Sequence, residues 1–480
     1  MQTQASRPLR WYDYITININ WFALTTRGQV LTPLIVPLLV QQFMGESLKG
    51  TYVGRMRLWA LMAALLMQAL MGIVSDRSRM RLGRRRPFIV IGTFLEIIIF
   101  ALIGFTAGLE GITGYWVLFA LYLVSMLTSN ISHAATQPLI SDLVPREKRG
   151  VFSGIKAALE LPVPLIFVSF IVGKMIAAGN LWGALFSLMG VLLICMLLSL
   201  LIPEKKPDSD PAPLNLEPFL RLFGMTTIFT IVILGSGALV NLVIRSTAAM
   251  DAAPMQWIVG IAGFLGMGTA IVLGVWASLR ISLGEKAGEH RGFTWWVINR
   301  LAFLVGANNL ASFMVFFLQE KFVEYQGEKA AGPAATIIMF VGILILTTAL
   351  PSGWLADRIG KKKLIIASGL LAAAGTFIVV LAPSLSLIYV GACLIGAGVG
   401  FFYTASWALG TEIVPPDKAG QFLGIANLAG AGAGAVGAYI GGPLADSNSF
   451  VLLMTIYGFI FVLSMLVVGR IQRQEQVIAR

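Results

Sequence analysis

Apolar residues in this chain neither alternate with polar ones nor form narrow stripes; they come in long runs broken by few charges. An α-helix needs about 20 such residues to cross hydrocarbon. Six runs of this kind precede residue 203, at 14–42, 57–75, 87–109, 115–141, 150–178 and 181–202. A polar, proline-rich stretch follows from Pro203 to Pro213, and it reads as a linker. Eight further runs lie at 219–244, 255–280, 293–319, 333–356, 364–382, 386–410, 420–444 and 450–469. The pattern therefore predicts fourteen spanning helices. None of the runs alternates as the strands of a membrane barrel do.

Composition agrees. Apolar residues make up 57% and charged residues 12% of the 480, about half the ~25% charge of soluble domains. Mean hydropathy is +0.83. A soluble enzyme, a disordered tail and a secreted disulfide scaffold are all excluded. The net charge of +12 is explained by basic loops beside the membrane rather than by nucleic-acid binding. Cys195 and Cys393 sit inside apolar runs as core thiols, and offer neither a disulfide framework nor a metal site. No Ser-His-Asp set, Walker loop or Cys/His cluster points to an enzyme or to a cofactor. Arg7 and Arg10 lead straight into the first run without a small-residue cleavage site, so no cleavable signal peptide is expected.

Lysine and arginine cluster at Arg77/Arg79/Arg81/Arg84/Arg85/Arg86, at Arg146/Lys148/Arg149 and at Arg358/Lys361/Lys362/Lys363. With the N-terminus inside, all three clusters fall on the cytoplasmic side. The expectation is thus a multi-pass protein of the cell (inner or plasma) membrane with both termini cytoplasmic.

The chain repeats itself. Asp142-Leu143-Val144-Pro145, followed by Gly150, Phe152 and Gly154, recurs as Glu412-Ile413-Val414-Pro415, followed by Gly420, Phe422 and Gly424. Gly72-Ile73-Val74-Ser75-Asp76-Arg77 recurs as Gly353-Trp354-Leu355-Ala356-Asp357-Arg358. Each copy leads to a glycine and three cations, Gly83-Arg84-Arg85-Arg86 and Gly360-Lys361-Lys362-Lys363. Both basic loops lie on one side, so the repeat is parallel. The predicted organisation is a six-helix bundle at 1–202, a cytoplasmic linker at 203–218, an inserted helix pair at 219–292 and a second six-helix bundle at 293–480. Asn241 is the main polar residue within the inserted pair.

The Gly-x-x-x-Asp-Arg and Gly-Arg-Arg-Arg loop, its second copy and the parallel repeat resemble the major facilitator superfamily. Within it, Ser75-Asp76-Arg77, Gly83-Arg84-Arg85-Arg86-Pro87-Phe88-Ile89, Asn130 and Gln137-Pro138-Leu139-Ile140-Ser141-Asp142-Leu143 are similar to the sucrose–proton and glycoside–pentoside–hexuronide:cation symporters. The chain departs from plant sucrose symporters at Leu127-Thr128-Ser129, where they carry an acid, and at Gln137, where they carry an arginine. The inserted pair is also unlike those families. The resemblance implies an all-α membrane protein of the major facilitator fold, without implying sucrose. It also implies a cytoplasmic gate of Asp76, Arg77, Arg84, Arg85, Arg86, Asp357 and Arg358. There Asp76 would face the helix starting near Gly420, and Asp357 the helix starting near Gly150.

Ionisable groups inside hydrocarbon are costly and mark function. Arg27 lies about 20 Å along the first span and Glu160 about 15 Å along the fifth, by the helical rise. Both depths are near the midplane, which makes Arg27 and Glu160 the expected pair, with Glu160 carrying a coupling proton. Lys156 is the competing partner of Glu160, one turn back; if it takes Glu160, Arg27 is left for an anionic substrate. Glu96 is expected to be paired locally, and Arg300 to be a structural cation snorkelling from two turns inside its helix. In the resembling fold the first and fourth helices of each bundle line the cavity. They offer Gln29, Asn130, His133, Gln137, Asn308, Asn309, Tyr403 and Trp407 as further substrate or coupling candidates. Gly430, Gly432, Gly434, Gly437, Gly441 and Gly442 are expected to bring helices close. Pro162 and Pro164 are expected to kink the fifth span just beyond Glu160.

These features point to a secondary transporter working by alternating access, moving a small sugar-like or other polar solute in proton- or cation-coupled symport. Drug or metabolite efflux by proton antiport and a non-transporting assembly or pigment-delivery factor are the alternatives. The expected partners are a small-molecule substrate, H+ as coupling ion and membrane lipids, in a monomer.

Overall fold

The structure is a computed structural model that describes residues 7–205, 215–284, 288, 291–414 and 419–471. Most of the predicted linker, at 206–214, lies outside the described residues. The described residues are helical, with no strand among them. Among the described residues, thirteen helices are long and apolar enough to cross a membrane. They are α1 (Asp13–Met44), α2 (Lys49–Asp76), α3 (Arg86–Thr106), α4 (Gly111–Leu143), α5 (Arg146–Ala177), α6 (Leu181–Ser199), α7 (Glu217–Thr247), α8 (Ala252–Ser282), α10 (Gly327–Ile359), α11 (Lys361–Leu381), α12 (Leu385–Ile413), α13 (Gly424–Ser447) and α14 (Phe450–Val468). The fourteenth, α9, is the pair Arg291–Ser312 and Met314–Lys321, bent by 60° at Phe313. Nothing in the sequence at Phe313 foretells that bend, since neither proline nor glycine stands there.

The proline break is where the residues place it. α5 interrupts at Leu161 (φ −120°, ψ −75°), and Pro162 opens the next helical segment. Proline is tolerated in a first turn because the N–H it lacks would be unbonded there. α1 and α5 each also contain a five-residue π-helical stretch, Leu31–Ile35 and Val168–Val172.

The chain forms two compact units. The first comprises Met1–Phe43, Ala63–Phe219 and Ala331–Met339, and the second Met44–Met62, Leu220–Ala330 and Phe340–Arg480. The division does not run through the linker: α2 contributes its first half to the second unit and its remainder to the first.

In the first unit, Asn20 on α1 donates to Ser132 (2.8 Å) and Thr136 (2.5 Å) of α4. A cluster of Ile17, Phe88, Ile89, Leu139 and Phe152 closes the core beneath them. In the second unit the glycines of α13 act by absence of bulk. A Cβ at Gly432, Gly434, Gly437, Gly441 or Gly442 would come within 2.2–2.7 Å of Phe229, Leu61, Asn309, Leu453 or the Gly50 carbonyl. Gly430 faces open space instead. The inserted pair α7–α8 packs on this small-residue surface through Phe229, and Tyr439 of α13 meets α7 at Gly237. Its other face is apolar and exposed, with Trp257 at 75% and Leu239 at 65%, as suits a helix that meets lipid on its outer side.

Candidate functional site

Three polar constellations lie at membrane depth. The first, in the first unit, is closed. Arg27 of α1 donates through Nε to Glu96 Oε1 (2.7 Å) and through Nη2 to Ser125 Oγ (2.6 Å). Ser125 and Thr128 of α4 both donate to the Glu96 carboxylate. The side chains of Arg27 and Glu96 are 7% and 2% exposed. The expected Arg27–Glu160 pair is therefore corrected: Arg27 turns toward α3 and α4, and Glu160 pairs with Lys156. Nor does Arg27 become free for an anionic substrate, because Glu96 neutralises it. Glu96 is paired locally, as expected.

The second constellation is open. Lys156 and Glu160 of α5 pair across one helical turn at 3.5 Å, with side chains 30% and 36% exposed. The Lys156 ammonium lies 3.9 Å from the ring centroid of Trp21 on α1. That ring in turn meets His133 of α4 edge-on, centroids 5.3 Å apart. Gln137, one turn from His133, is exposed and accepts from Gln68 of α2 at 3.3 Å. Here a cation and a carboxylate, each about a third exposed, lie beside a buried indole and a half-buried imidazole. Asn130 is buried and donates to its own helix at the Met126 carbonyl (2.7 Å). Gln29 is half-buried on α1.

The third constellation, in the second unit, is aromatic. The guanidinium of Arg300 on α9 lies 4.4 Å from the ring centroid of Trp407, 5.9 Å from Tyr403 and 5.8 Å from Trp296. Arg300 is only 5% exposed. It does not snorkel as expected, because π faces replace water around it. Its Nε and Nη1 have no hydrogen-bond partner among the described residues. Asn309 is occupied structurally, accepting from Arg57 Nη1 (2.7 Å) and donating to the Val305 and Ala433 carbonyls. Asn308 donates to the Gly430 carbonyl at 3.3 Å. Arg57, buried in α2, is a cation at depth that sequence reasoning passed over because it stands at the edge of its apolar run.

The basic loop is built as an interlock. Gly83 has φ +109°, and a Cβ there would strike the Glu204 carboxylate. Its repeat partner Gly360 has φ +94°. Both positions call for glycine. Arg84 donates to Asp142 at 2.6 Å, and Arg85 bonds Asp142, Asp76 and Ser75. In the second copy Lys361 pairs with Glu412, the repeat equivalents of Arg84 and Asp142. Asp76 is thus held within its own loop, while Asp357 and Arg358 are exposed, Arg358 lying over Trp354. Residues 415–418, which precede the Gly420 helix start expected to face Asp76, lie outside the described residues.

Sequence reasoning missed Glu204. Its carboxylate is buried and accepts the main-chain N–H of Arg85 (2.7 and 2.9 Å) and of Arg86 (2.9 Å). It thereby caps α3, whose first N–H groups have no helical partner. Arg86 answers by donating to the Leu200 and Glu204 carbonyls. Burial pushes the Glu204 carboxyl above its ordinary value, opposed by the N–H groups of Arg86 and Arg85 and by their positive charges. The signal was its place as the first carboxylate after the sixth span, within a stretch that reads as linker.

The Major Facilitator Superfamily profile matches residues 19–323 and 301–477. Among solved structures, a D-xylose-proton symporter superposes with a TM-score of 0.63 at 17% identity, covering 97% of this chain and 98% of that one. The nucleoside transporter NupG gives 0.61 at 14% identity, covering 96% and 100%. A POT peptide transporter gives 0.64 at 13%, covering 97% and 96%. At these identities the likeness is one of fold. Among curated proteins, the minor myo-inositol transporter IolF of Bacillus subtilis is 36% identical over 88 residues, which span 18% of this chain and 20% of that protein.

Proposed function

Because the chain belongs to the Major Facilitator Superfamily, a family of transporters, we propose that it carries a small polar solute by alternating access, in symport with protons. The observation that carries this reading is the accessible Lys156–Glu160 pair beside Trp21 and His133. Two charges a third exposed inside a spanning helix cannot face lipid cheaply, so they line a space that water or solute enters. A carboxylate there can take a proton, and taking it releases Lys156. Glu160 is accordingly the proposed coupling group. Gln137 is proposed to contact solute, with His133 as a second proton site. In the second unit, Tyr403 and Trp407 offer aromatic faces held in place by Arg300.

A sugar-like or other polyhydroxylated solute is the proposed substrate class. Indole faces and amides suit alternating C–H and O–H surfaces. The relatives whose names include myo-inositol, D-xylose and nucleoside supply the first solutes to try. The resemblance to glycoside and sucrose symporters points the same way. Asp76 and Asp357, at repeated positions on the basic loops, are the proposed gate carboxylates, and the basic loops and both termini are placed on the cytoplasmic side.

The test uses purified protein in liposomes. Uptake of labelled myo-inositol, D-xylose, a nucleoside and a dipeptide is measured with and without an inward proton gradient. Gradient-stimulated uptake of a polyol, sugar or nucleoside supports the reading. Uptake of the dipeptide alone, or solute extrusion against an inward proton gradient, overturns the substrate class or the direction.

A further inference from the structure

Near the start of α2, the inserted pair and α13 leave a pocket of about 300 Å³. Arg55 of α2 and Arg245 of α7 line it together with Asn241, Tyr439, Asp446 and Ser447. All belong to the second unit. Both arginines are exposed, and neither has a carboxylate partner among the described residues. The recorded contact of the Arg55 guanidinium is with the ring of Tyr52, one turn back on its own helix, at 5.3 Å. The one acid in the wall does not neutralise them. The Asp446 oxygens accept the main-chain N–H groups of Gly50 (2.8 Å) and Thr51 (2.6 Å), where α2 begins.

Asn241 and Arg245 stand one turn apart on α7, hence on one face. The same helix end turns Leu239 and Leu242 outward, 65% and 64% exposed. The pocket therefore lies where an apolar helix surface gives way to polar groups. Two guanidiniums, an amide, a phenol, three hydroxyls and the Asp446 carboxylate share the wall with Leu48, Ile244 and Pro443, so the pocket offers cationic donors beside an apolar side. We propose that this pocket binds a phosphate group, the headgroup phosphodiester of an anionic phospholipid or a free phosphate, held by Arg55 and Arg245. Guanidinium forks match phosphate oxygens in geometry and charge, and the neighbouring leucines offer an acyl chain a surface to follow. The site gives the inserted pair a role that the transport reading does not supply: it ties the outer end of α7 to α2 and α13 through a shared anion.

The test reads binding rather than transport, so its outcome is independent of the symport proposal. The full chain is placed in nanodiscs of phosphatidylcholine alone, of phosphatidylcholine with phosphatidylglycerol, and of phosphatidylcholine with inorganic phosphate in the buffer. Thermal unfolding and lipid retained in native mass spectrometry are recorded. Wild-type protein is expected to retain phosphatidylglycerol and to unfold at a higher temperature with it. Arg55→Gln and Arg245→Gln should each bind about tenfold more weakly, the loss of one charge-assisted contact. Arg280→Gln, which removes an exposed arginine near the far end of α8, should change nothing. Stabilisation by inorganic phosphate that disappears in the double variant identifies a soluble phosphate as the ligand. If neither additive separates wild type from the two variants, or if Arg280→Gln weakens binding equally, the proposal is overturned. Both arginines are exposed, so the single variants are expected to fold.

Discussion

Replacing Glu204 with alanine removes the acceptor of two main-chain N–H groups, the buried one of Arg85 and the half-buried one of Arg86. Each buried donor left unmade costs about 1–3 kcal/mol. Water entering the vacated volume recovers part of that, so about 2 kcal/mol or more of local stability should be lost. At 1.4 kcal/mol per decade this is a ~30-fold or greater rise in the opening of the α3 N-terminus. Hydrogen exchange on the detergent-solubilised protein reads it directly, at the amides of Arg85, Arg86 and the first turn of α3. Glu204→Gln keeps one acceptor oxygen and should accelerate exchange by less than ~10-fold. Protection unchanged in Glu204→Ala would show that the interlock is not what holds the loop.

Three further outcomes follow. The Glu204 carboxyl is held above its ordinary value by burial. Its folded form keeps a proton that the unfolded chain releases, so its contribution is full below the ordinary value and is lost as pH rises through the folded one. Protection of the α3 start should accordingly increase on acidification from neutral, and Glu204→Gln should abolish that dependence; a site that loosens on acidification in wild type contradicts it. Glu96→Ala strands the buried Arg27 and should cost about 3–5 kcal/mol in unfolding experiments, whereas Arg27→Met with Glu96→Leu should recover most of it; additive losses would refute the pairing. Gly54→Val drives a Cβ toward the Ala438 carbonyl, 2.2 Å from its ideal position, and should cost about 1–3 kcal/mol in thermal unfolding, while Gly430→Ala, in open space, should be neutral.

Much of this was legible in the chain. Run lengths alone gave the spans, because hydrocarbon thickness sets a length and little else competes with it. The repeat carried the loop geometry as well: Gly83 and Gly360 share a positive φ, and Arg84–Asp142 returns as Lys361–Glu412. What composition and depth do not carry is helix rotation. Counting along the runs puts Arg27 and Glu160 at similar expected depths, yet Arg27 faces α3 and α4, so Glu96 takes it. Arg300 was expected to reach for water, but two of the three rings that enclose it, Tyr403 and Trp407, come from a helix about a hundred residues away. Glu204 was hidden by its setting, since a carboxylate just past the last run of a bundle reads as solvated until the loop folds back upon it. The bend at Phe313 left no mark in local residue types.

The central claim, proton-coupled transport through Glu160, is tested most directly by one comparison in proteoliposomes. Wild type and Glu160→Gln are given the solute that wild type accumulates. Accumulation down an imposed proton gradient is then measured beside gradient-free exchange of labelled for unlabelled solute. The account predicts that Glu160→Gln exchanges solute at a rate close to wild type but no longer accumulates it. A Glu160→Gln protein that still concentrates solute when the gradient is applied would contradict it.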